Sequence, residues 1–473
     1  MTPAEGSGEP MLTGEAHLSP VRRAGQQRMQ LRYGFNEVDG WWSIGLGPHR
    51  EQLRHHHRLM GTQIVRIFVF DKPVPDPVKE WDLFAAYVQA VLDMGAVPMI
   101  TFAKYHPPHD NARNLRTYLA RCSDVVWGCL EQWGGERVRD WYWCVWNEPN
   151  NYHVGGLLTF PLYKRIYEEV AYVVHRLLDP YLGGRKLRIG GPALCGFQTY
   201  WQDWISGLVN EVDPSLLSFV SWHHYADWRP VVPAASVGFN LKGEPEPPPG
   251  PAYRTLLMAQ TPQYETRARA VARIIGDRDI LNVCGELNTV VHHNHYFVGG
   301  LNQNAFGAAY YASALIHLIR GGADLEMRWT ATAHDDAYGI MTMEGAPTAA
   351  CLGKELFAQH VRRGDWVSFP GPHADHPEVD AIVSRADNGS GTSNDGRISG
   401  VFVNTSEKAQ RLAVADWDPE LLRCREILRL DAGTGDRIVR EPFDGTVRLA
   451  SYGIAIVSTA PSGTTFGDFL VNR

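Results

Sequence analysis

The sequence predicts a (β/α)₈ barrel followed by an antiparallel β-sandwich. Three observations carry this. Eight short apolar runs lie between residues 31 and 331, segments of helical period separate them, and short strand-like runs broken by Gly, Asn and Asp follow residue 355. Strands alternating with helices make a parallel sheet, and eight such units close into a barrel of roughly 250 residues or more. The chain's 473 residues leave room for a second, smaller unit.

The eight runs are LRYGFN (31–36), IVRIFVF (64–70), AVPMITF (96–102), WYWCVWN (141–147), LRIGGPAL (187–194), FVSWHHY (219–225), ILNVCGE (280–286) and LEMRWTA (325–331). Between strands two and three, Phe84, Tyr87, Val88, Val91 and Leu92 recur at helical spacing, with Gly95 as a C-cap. Between strands four and five, Leu162, Ile166, Val170, Val173 and Leu177 do the same, and Asp179-Pro180 should stop that helix. Phe306, Tyr310, Ala314 and Leu318 precede Gly321-Gly322 between strands seven and eight. These stripes read as packing against the barrel wall.

The expected division is a disordered polar leader (1–30), a catalytic barrel (31–354) and a β-sandwich (355–473). Within the last, 387–397 reads as a hairpin loop. The connection after strand six, 229–262, holds proline clusters that exclude regular helix or a central strand. It reads either as a surface insertion or as a functional or assembly element, which leaves a homo-oligomer open.

Composition bounds the function. A net charge of -7 argues against a nucleic-acid partner, whose phosphates need basic patches. No run reaches the roughly 20 apolar residues of a membrane span, and no apolar run of signal-peptide length lies in the first thirty residues. No membrane partner and a cytoplasmic location are therefore expected. Seven irregularly spaced Cys predict reduced core thiols rather than a disulfide framework. The 15 Trp suit either sugar stacking or core filling.

Two carboxylates carry the chemistry. Glu148, in Trp146-Asn147-Glu148-Pro149-Asn150, follows strand four, and Glu286 ends strand seven. Active sites of barrels lie at the C-terminal ends of the strands. A lone Glu at a strand end is more often a surface ion pair or a helix-start acid. Two of them facing each other across one barrel mouth fit glycoside hydrolysis. One carboxyl protonates the leaving oxygen, and the other, ionised, attacks the anomeric carbon. Glu148 is expected as the acid/base, its pKa raised by the charge of Glu286, the nucleophile.

The Trp-Asn-Glu-Pro-Asn box resembles the acid/base site of clan A glycoside hydrolases, most closely family 39, which includes β-xylosidases and α-L-iduronidases. Glu286-Leu287-Asn288 matches that family's nucleophile segment, and His223-His224-Tyr225 matches its His-X-Tyr on strand six. The resemblance covers roughly residues 30 to 360. It implies a retaining, exo-acting, β-xylosidase-like enzyme acting on an oligosaccharide or glycoside without cofactor or metal. Tyr225 would donate to Glu286, His223 would bind a sugar hydroxyl or tune Glu148, and Asn147 would bond the sugar 2-hydroxyl. Trp329 would floor the sugar. Arg66, a charge inside strand two, needs a carboxylate partner. Each of these residues also has a bland reading as satisfied core polarity or ordinary packing.

The chain departs from the family after strand two. Family β-xylosidases carry Gly-His-Gly there, whereas this chain has Arg66-Ile67-Phe68-Val69-Phe70-Asp71. With Lys104 and His106 beyond strand three, Asp71 is expected to set sugar specificity. His55-His56-His57 and His292-His293-Asn294-His295 lack metal-ligand spacing, and the second reads as sugar-site rim. The competing readings are a non-catalytic carbohydrate-binding barrel, or a clan A glycosidase with another sugar preference.

Overall fold

The computed structural model describes residues 25–70, 75–103, 112–151, 156–196, 200–226, 238–239, 245–246, 251–289, 300–332, 338–371, 375–386 and 396–459. Eight parallel strands close a barrel in chain order. They are β1 (Arg32–Asn36), β2 (Ile64–Val69), β3 (Val97–Phe102), β4 (Tyr142–Val145), β5 (Ile189–Leu194), β6 (Phe219–Tyr225), β7 (Leu281–Asn288) and β8 (Leu325–Trp329).

Side chains alternate in and out along each strand, and the sequence exploits this period. Ile64, Met99, Tyr142, Phe219, Val283 and Leu325 fill the interior with an apolar plug at the strands' N-terminal ends. Two residues further along, the inward positions turn polar: Arg66 on β2, Thr101 on β3, Ser221 on β6. The intervening residues Val65, Ile100, Trp143, Val220 and Cys284 face the helices. Trp141, Trp143, Trp146 and Trp222 are fully buried, so much of the Trp content is core.

The helical stripes are present, with two corrections. The helix after β4 spans Phe160–Leu182 and runs through Pro180 to Gly183, which caps it in the left-handed region. Pro180 lies in the last turn, where it and Arg176, four residues earlier, are both exposed. The bond that Pro cannot donate is thus left to solvent. Within 229–262, a helix (Pro251–Met258) starts at Pro251, and Gly238–Phe239 pairs with Pro245–Glu246. Pro is tolerated at a helix's first position, because its missing N–H has no intrahelical partner there. Residues 259–261 turn into a second helix (Pro262–Ile275), and the rest of that connection lies outside the described residues.

A seven-stranded antiparallel sheet follows the barrel. Its order is Gln27–Arg28, Trp366–Ser368, Val379–Arg385, Ile398–Asn404, Ile454–Ser458, Glu426–Leu430 and Val439–Pro442. The edge pair Gln27–Arg28 comes from the polar leader and bonds to Trp366–Val367. Alternation again sorts the faces. Phe402, Ala455 and Val457 pack with Leu412, Val447 and Leu449 of a two-stranded ribbon, Gln410–Ala413 with Thr446–Leu449. Val401, Val403, Ile454 and Ile456 join the barrel's core. They press on the helices Ala305–Gly321 and Ala349–His360. The first of these is buried along almost its whole length, as a helix between two layers must be. Among the described residues, no helix is long and apolar enough to cross a membrane.

A fully buried charge pair ties the helix Ala349–His360 to the barrel wall. Lys354 Nζ meets Glu326 Oε1 at 2.6 Å, with both side chains fully buried, and Tyr311 also donates to Glu326. Lys354→Met leaves Glu326 uncompensated and should cost about 3–5 kcal/mol in urea unfolding. Adding Glu326→Gln should restore most of the loss. A single-variant cost below about 1 kcal/mol contradicts the assignment of this pair as a buried ion pair.

Candidate active site

Glu148 is aimed by the backbone that follows β4. Its N–H donates to Ala193 O on β5 at 2.9 Å, and the Trp146 N–H donates to Phe102 O on β3 at 2.8 Å. Trp146 (φ 74°) and Glu148 (φ 46°) both sit in the left-handed region, strained for residues with a Cβ. Asn150 clamps the loop by exchanging two 3.0 Å bonds with the backbone of Cys195.

Glu286 depends on an irregularity. Val283 faces in and Cys284 faces out, so strict alternation would turn residue 286 outward. Between Cys284 and Glu286 the register against β6 slips by one, a bulge at Gly285 that sets Glu286 opposite His223. A Cβ on Gly285 would lie 2.4 Å from Ser221 Oγ, so only glycine fits the inward spot. The Asn36 amide holds the bulge by donating to Gly285 O at 3.0 Å.

The two carboxylates meet at the barrel mouth. Nδ1 of His223 lies 2.9 Å from Glu148 Oε1 and 3.4 Å from Glu286 Oε2. One atom from each of the three groups falls within 4.8 Å of the others. Arg66 Nη1 donates to Glu286 Oε1 at 2.9 Å, and the Tyr225 hydroxyl donates to Glu286 Oε2 at 2.8 Å. Arg66 is held in turn by Thr101 Oγ1 (3.0 Å), Asn36 Oδ1 (3.2 Å) and Asn147 Oδ1 (2.8 Å). Asn151 Nδ2 donates to Glu148 Oε2 at 2.7 Å. Trp329 packs edge-on against Phe68 at the interior's upper end.

Burial acts on both carboxyls, but their neighbours differ. Burial pushes the Glu148 carboxyl up to about 7, against the pull of the Asn151 amide and Arg66. The expected cause was the charge of Glu286; the structure assigns the rise to desolvation. Burial also raises Glu286, and Glu148 adds to this, while His223, Arg66 and Tyr225 oppose it. His223 is driven down to about 3, chiefly by burial, so it stands neutral between the carboxylates. With Nδ1 protonated it can donate to Glu148 Oε1, and the same N–H lies near Glu286 Oε2.

Glu148, Glu286, Arg66, Asn147, His223, Tyr225 and Trp329 therefore share one mouth. Asp71, Lys104, His106 and the His292–His295 cluster lie outside the described residues. Three further residues belong to the constellation and were not singled out from sequence: Asn36, Thr101 and Asn151. Asn36 carried a readable signal, a polar residue at the C-terminal end of a barrel strand. Asn151 follows Glu148 by three residues but adjoins the motif without belonging to it. Thr101 is an ordinary strand residue until its neighbour Arg66 is placed.

No protein-family model matches the chain. A stretch of 107 residues is 35% identical to a curated β-xylosidase of Geobacillus stearothermophilus, spanning 22% of this chain and only 20% of that relative. A family 39 β-xylosidase from Caulobacter crescentus shares the fold at 15% identity (TM-score 0.59, covering 93% of this chain and 98% of that one). So does a family 51 α-L-arabinofuranosidase from Bifidobacterium longum, at 15% identity (TM-score 0.59, 92% and 96% covered). The resemblance to clan A enzymes, family 39 among them, thus extends to the whole fold.

The raised Glu148 carboxyl has a consequence for stability. The folded chain keeps this proton over a range in which the unfolded chain has lost it, so stability should fall as pH rises from about 4.5 toward 7. Glu148→Gln removes that dependence. Relative to wild type, the variant should gain about 3 kcal/mol between pH 4.5 and 8. Denaturant melts at a series of pH values test this, and parallel pH profiles would refute it.

Proposed function

We propose that the chain is a retaining glycoside hydrolase that works through a covalent glycosyl-enzyme, with Glu286 as nucleophile and Glu148 as acid/base. The observation that carries this is the separation of the two carboxylates, with oxygens within 4.8 Å of each other. Retention needs about 5 Å, whereas inversion needs roughly 6.5 Å or more to admit a water.

The asymmetry of the surroundings supports the division of roles. Arg66 and Tyr225 stabilise negative charge on Glu286. Glu148 has no cation within hydrogen-bonding distance among the described residues, so it keeps its proton near neutrality. In the first step a Glu286 oxygen bonds to the anomeric carbon as the glycosidic C–O bond breaks, and the Glu148 proton passes to the departing oxygen. In the second, Glu148 takes a proton from water while the resulting hydroxide displaces Glu286 from the anomeric carbon. Esterification removes the charge of Glu286, leaving Arg66 uncompensated, which favours the ionised, basic form of Glu148 at the moment it is needed.

Asn147 spends its Oδ1 on Arg66, so its Nδ2 is the group left for a sugar 2-hydroxyl. Trp329 supplies an apolar wall. Together with the matched segment of the Geobacillus β-xylosidase, these features favour a β-xylosidase-like activity.

A panel of aryl β-xylosides, β-glucosides and α-L-arabinofuranosides should show turnover of the β-xyloside with retained anomeric configuration by NMR. Glu286→Gln should abolish it, and azide should rescue Glu286→Gly with inversion. Glu148→Gln should slow poor leaving groups by about 10²–10⁴-fold and activated ones far less. For poor leaving groups kcat/KM should fall above pH 7. An inverted product from the wild type, or unimpaired Glu286→Gln, ends this reading.

A further inference from the structure

Away from the barrel mouth, the first and last barrel helices, Arg50–Leu59 and Ala349–His360, meet along a short seam. His56 and Met60 are four residues apart on one side, and Cys351 and Glu355 are four apart on the other. Each pair therefore shares a helix face. We propose that His56, Met60, Cys351 and Glu355 form a tetrahedral site for a Zn²⁺-like ion that staples these two helices.

Two of the distances match the edges of a tetrahedral ligand shell. Cys351 Sγ lies 3.5 Å from Glu355 Oε1 and 3.8 Å from Met60 Sδ. With zinc bonds of about 2.3 Å to sulfur and 2.0 Å to oxygen or nitrogen, tetrahedral edges come to about 3.5 Å (S–O) and 3.8 Å (S–S). The His56 Nδ1 to Glu355 Oε1 contact is 2.7 Å, a hydrogen bond. It needs to open to about 3.3 Å to admit the ion. One ligand atom from each of His56, Cys351 and Glu355 already lies within 4.8 Å of the other two. Weak S–H hydrogen bonds from Cys351 to Glu355 and Met60 account for each sulfur contact singly; the case for an ion is that imidazole, thiol, thioether and carboxylate converge on one buried seam.

The chemistry of the donors agrees. Imidazole, thiolate, thioether and carboxylate suit zinc, whereas Ca²⁺ or Mg²⁺ would require oxygen. Cys351 and Met60 are fully buried and Glu355 nearly so. One thiolate and one carboxylate neutralise a divalent ion, which makes the charge tolerable in such a setting. His56, at 9% exposure, is the ligand nearest solvent and marks the entry path.

The test uses the full chain, stripped with chelator and titrated with Zn²⁺ alone and with Co²⁺ alone. One equivalent of Zn²⁺ should bind and raise the melting temperature. Co²⁺ should give a thiolate-to-cobalt charge-transfer band that Zn²⁺ then bleaches. Cys351→Ser should abolish the band and weaken Zn²⁺ on the order of 100-fold. His56→Gln, changed at the solvent edge, should weaken binding about 10-fold or more even if Cys351→Ser folds poorly. Met60→Leu, which keeps the packing, should cost less than about 10-fold. The band should persist in Glu286→Gln, which separates this site from the Glu148–His223–Glu286 cluster, where no sulfur is among the ligands. Co²⁺ binding without the thiolate band, or unchanged Zn²⁺ affinity in His56→Gln, overturns the proposal.

Discussion

The Arg66–Glu286 ion pair is the constraint on which the site turns. A single buried guanidinium lies against two buried carboxyl groups, and it can compensate one negative charge. It bonds Glu286 directly, at 2.9 Å. The second carboxyl, Glu148, then meets the desolvation penalty with only an amide and a neutral imidazole for support, and it holds a proton instead. The difference between two chemically identical side chains thus comes from where one cation sits. The cation itself is fixed by three oxygens, from Asn36, Thr101 and Asn147, on three different strands or strand ends. The barrel's closure is what brings them together.

The backbone carries an equal share of this arrangement. Parallel strands give inward positions automatically, and Arg66, His223 and Tyr225 use that gift. Glu286 does not, because the period of β7 would point it at the helices. The bulge at Gly285 corrects its aim, and the absence of a side chain there lets β7 approach Ser221. On the other side, the strained turn through Trp146 and Glu148 does the corresponding work. Both carboxylates are delivered by departures from regular structure, each anchored by hydrogen bonds to another strand of the barrel.

Most of the architecture was legible in the chain because burial writes a periodic signal. All eight barrel strands fall within two residues of their apolar runs, and the two carboxylates stood out because charge at a strand end breaks the pattern. What escaped has specific physical reasons. Pro180 does not end its helix, because an exposed last turn tolerates the missing bond. The helix at Pro251 begins on a residue that, read alone, forbids helix. Three strands of the second sheet, Gln27–Arg28, Trp366–Ser368 and Val439–Pro442, were too short or too mixed to register, the first of them falling in the segment expected to be disordered. The source of the Glu148 shift could not be read from charge order, since desolvation depends on depth. The same holds for His56 and Glu355, whose partnership spans 299 residues. No local spacing rule can detect it.

The sheet's edge has a bearing on how the molecule is made. Gln27–Arg28 leaves the ribosome early, yet its partners, Trp366–Val367, are some 340 residues away. The helix Ala305–Gly321 likewise waits for strands near residues 380, 400 and 455 to cover its outer side. A nascent chain released before those strands would present an apolar helix and an open edge to its neighbours. Synthesis of this fold therefore carries a long vulnerable interval, and a clean excision of the trailing sheet would recreate that interval permanently.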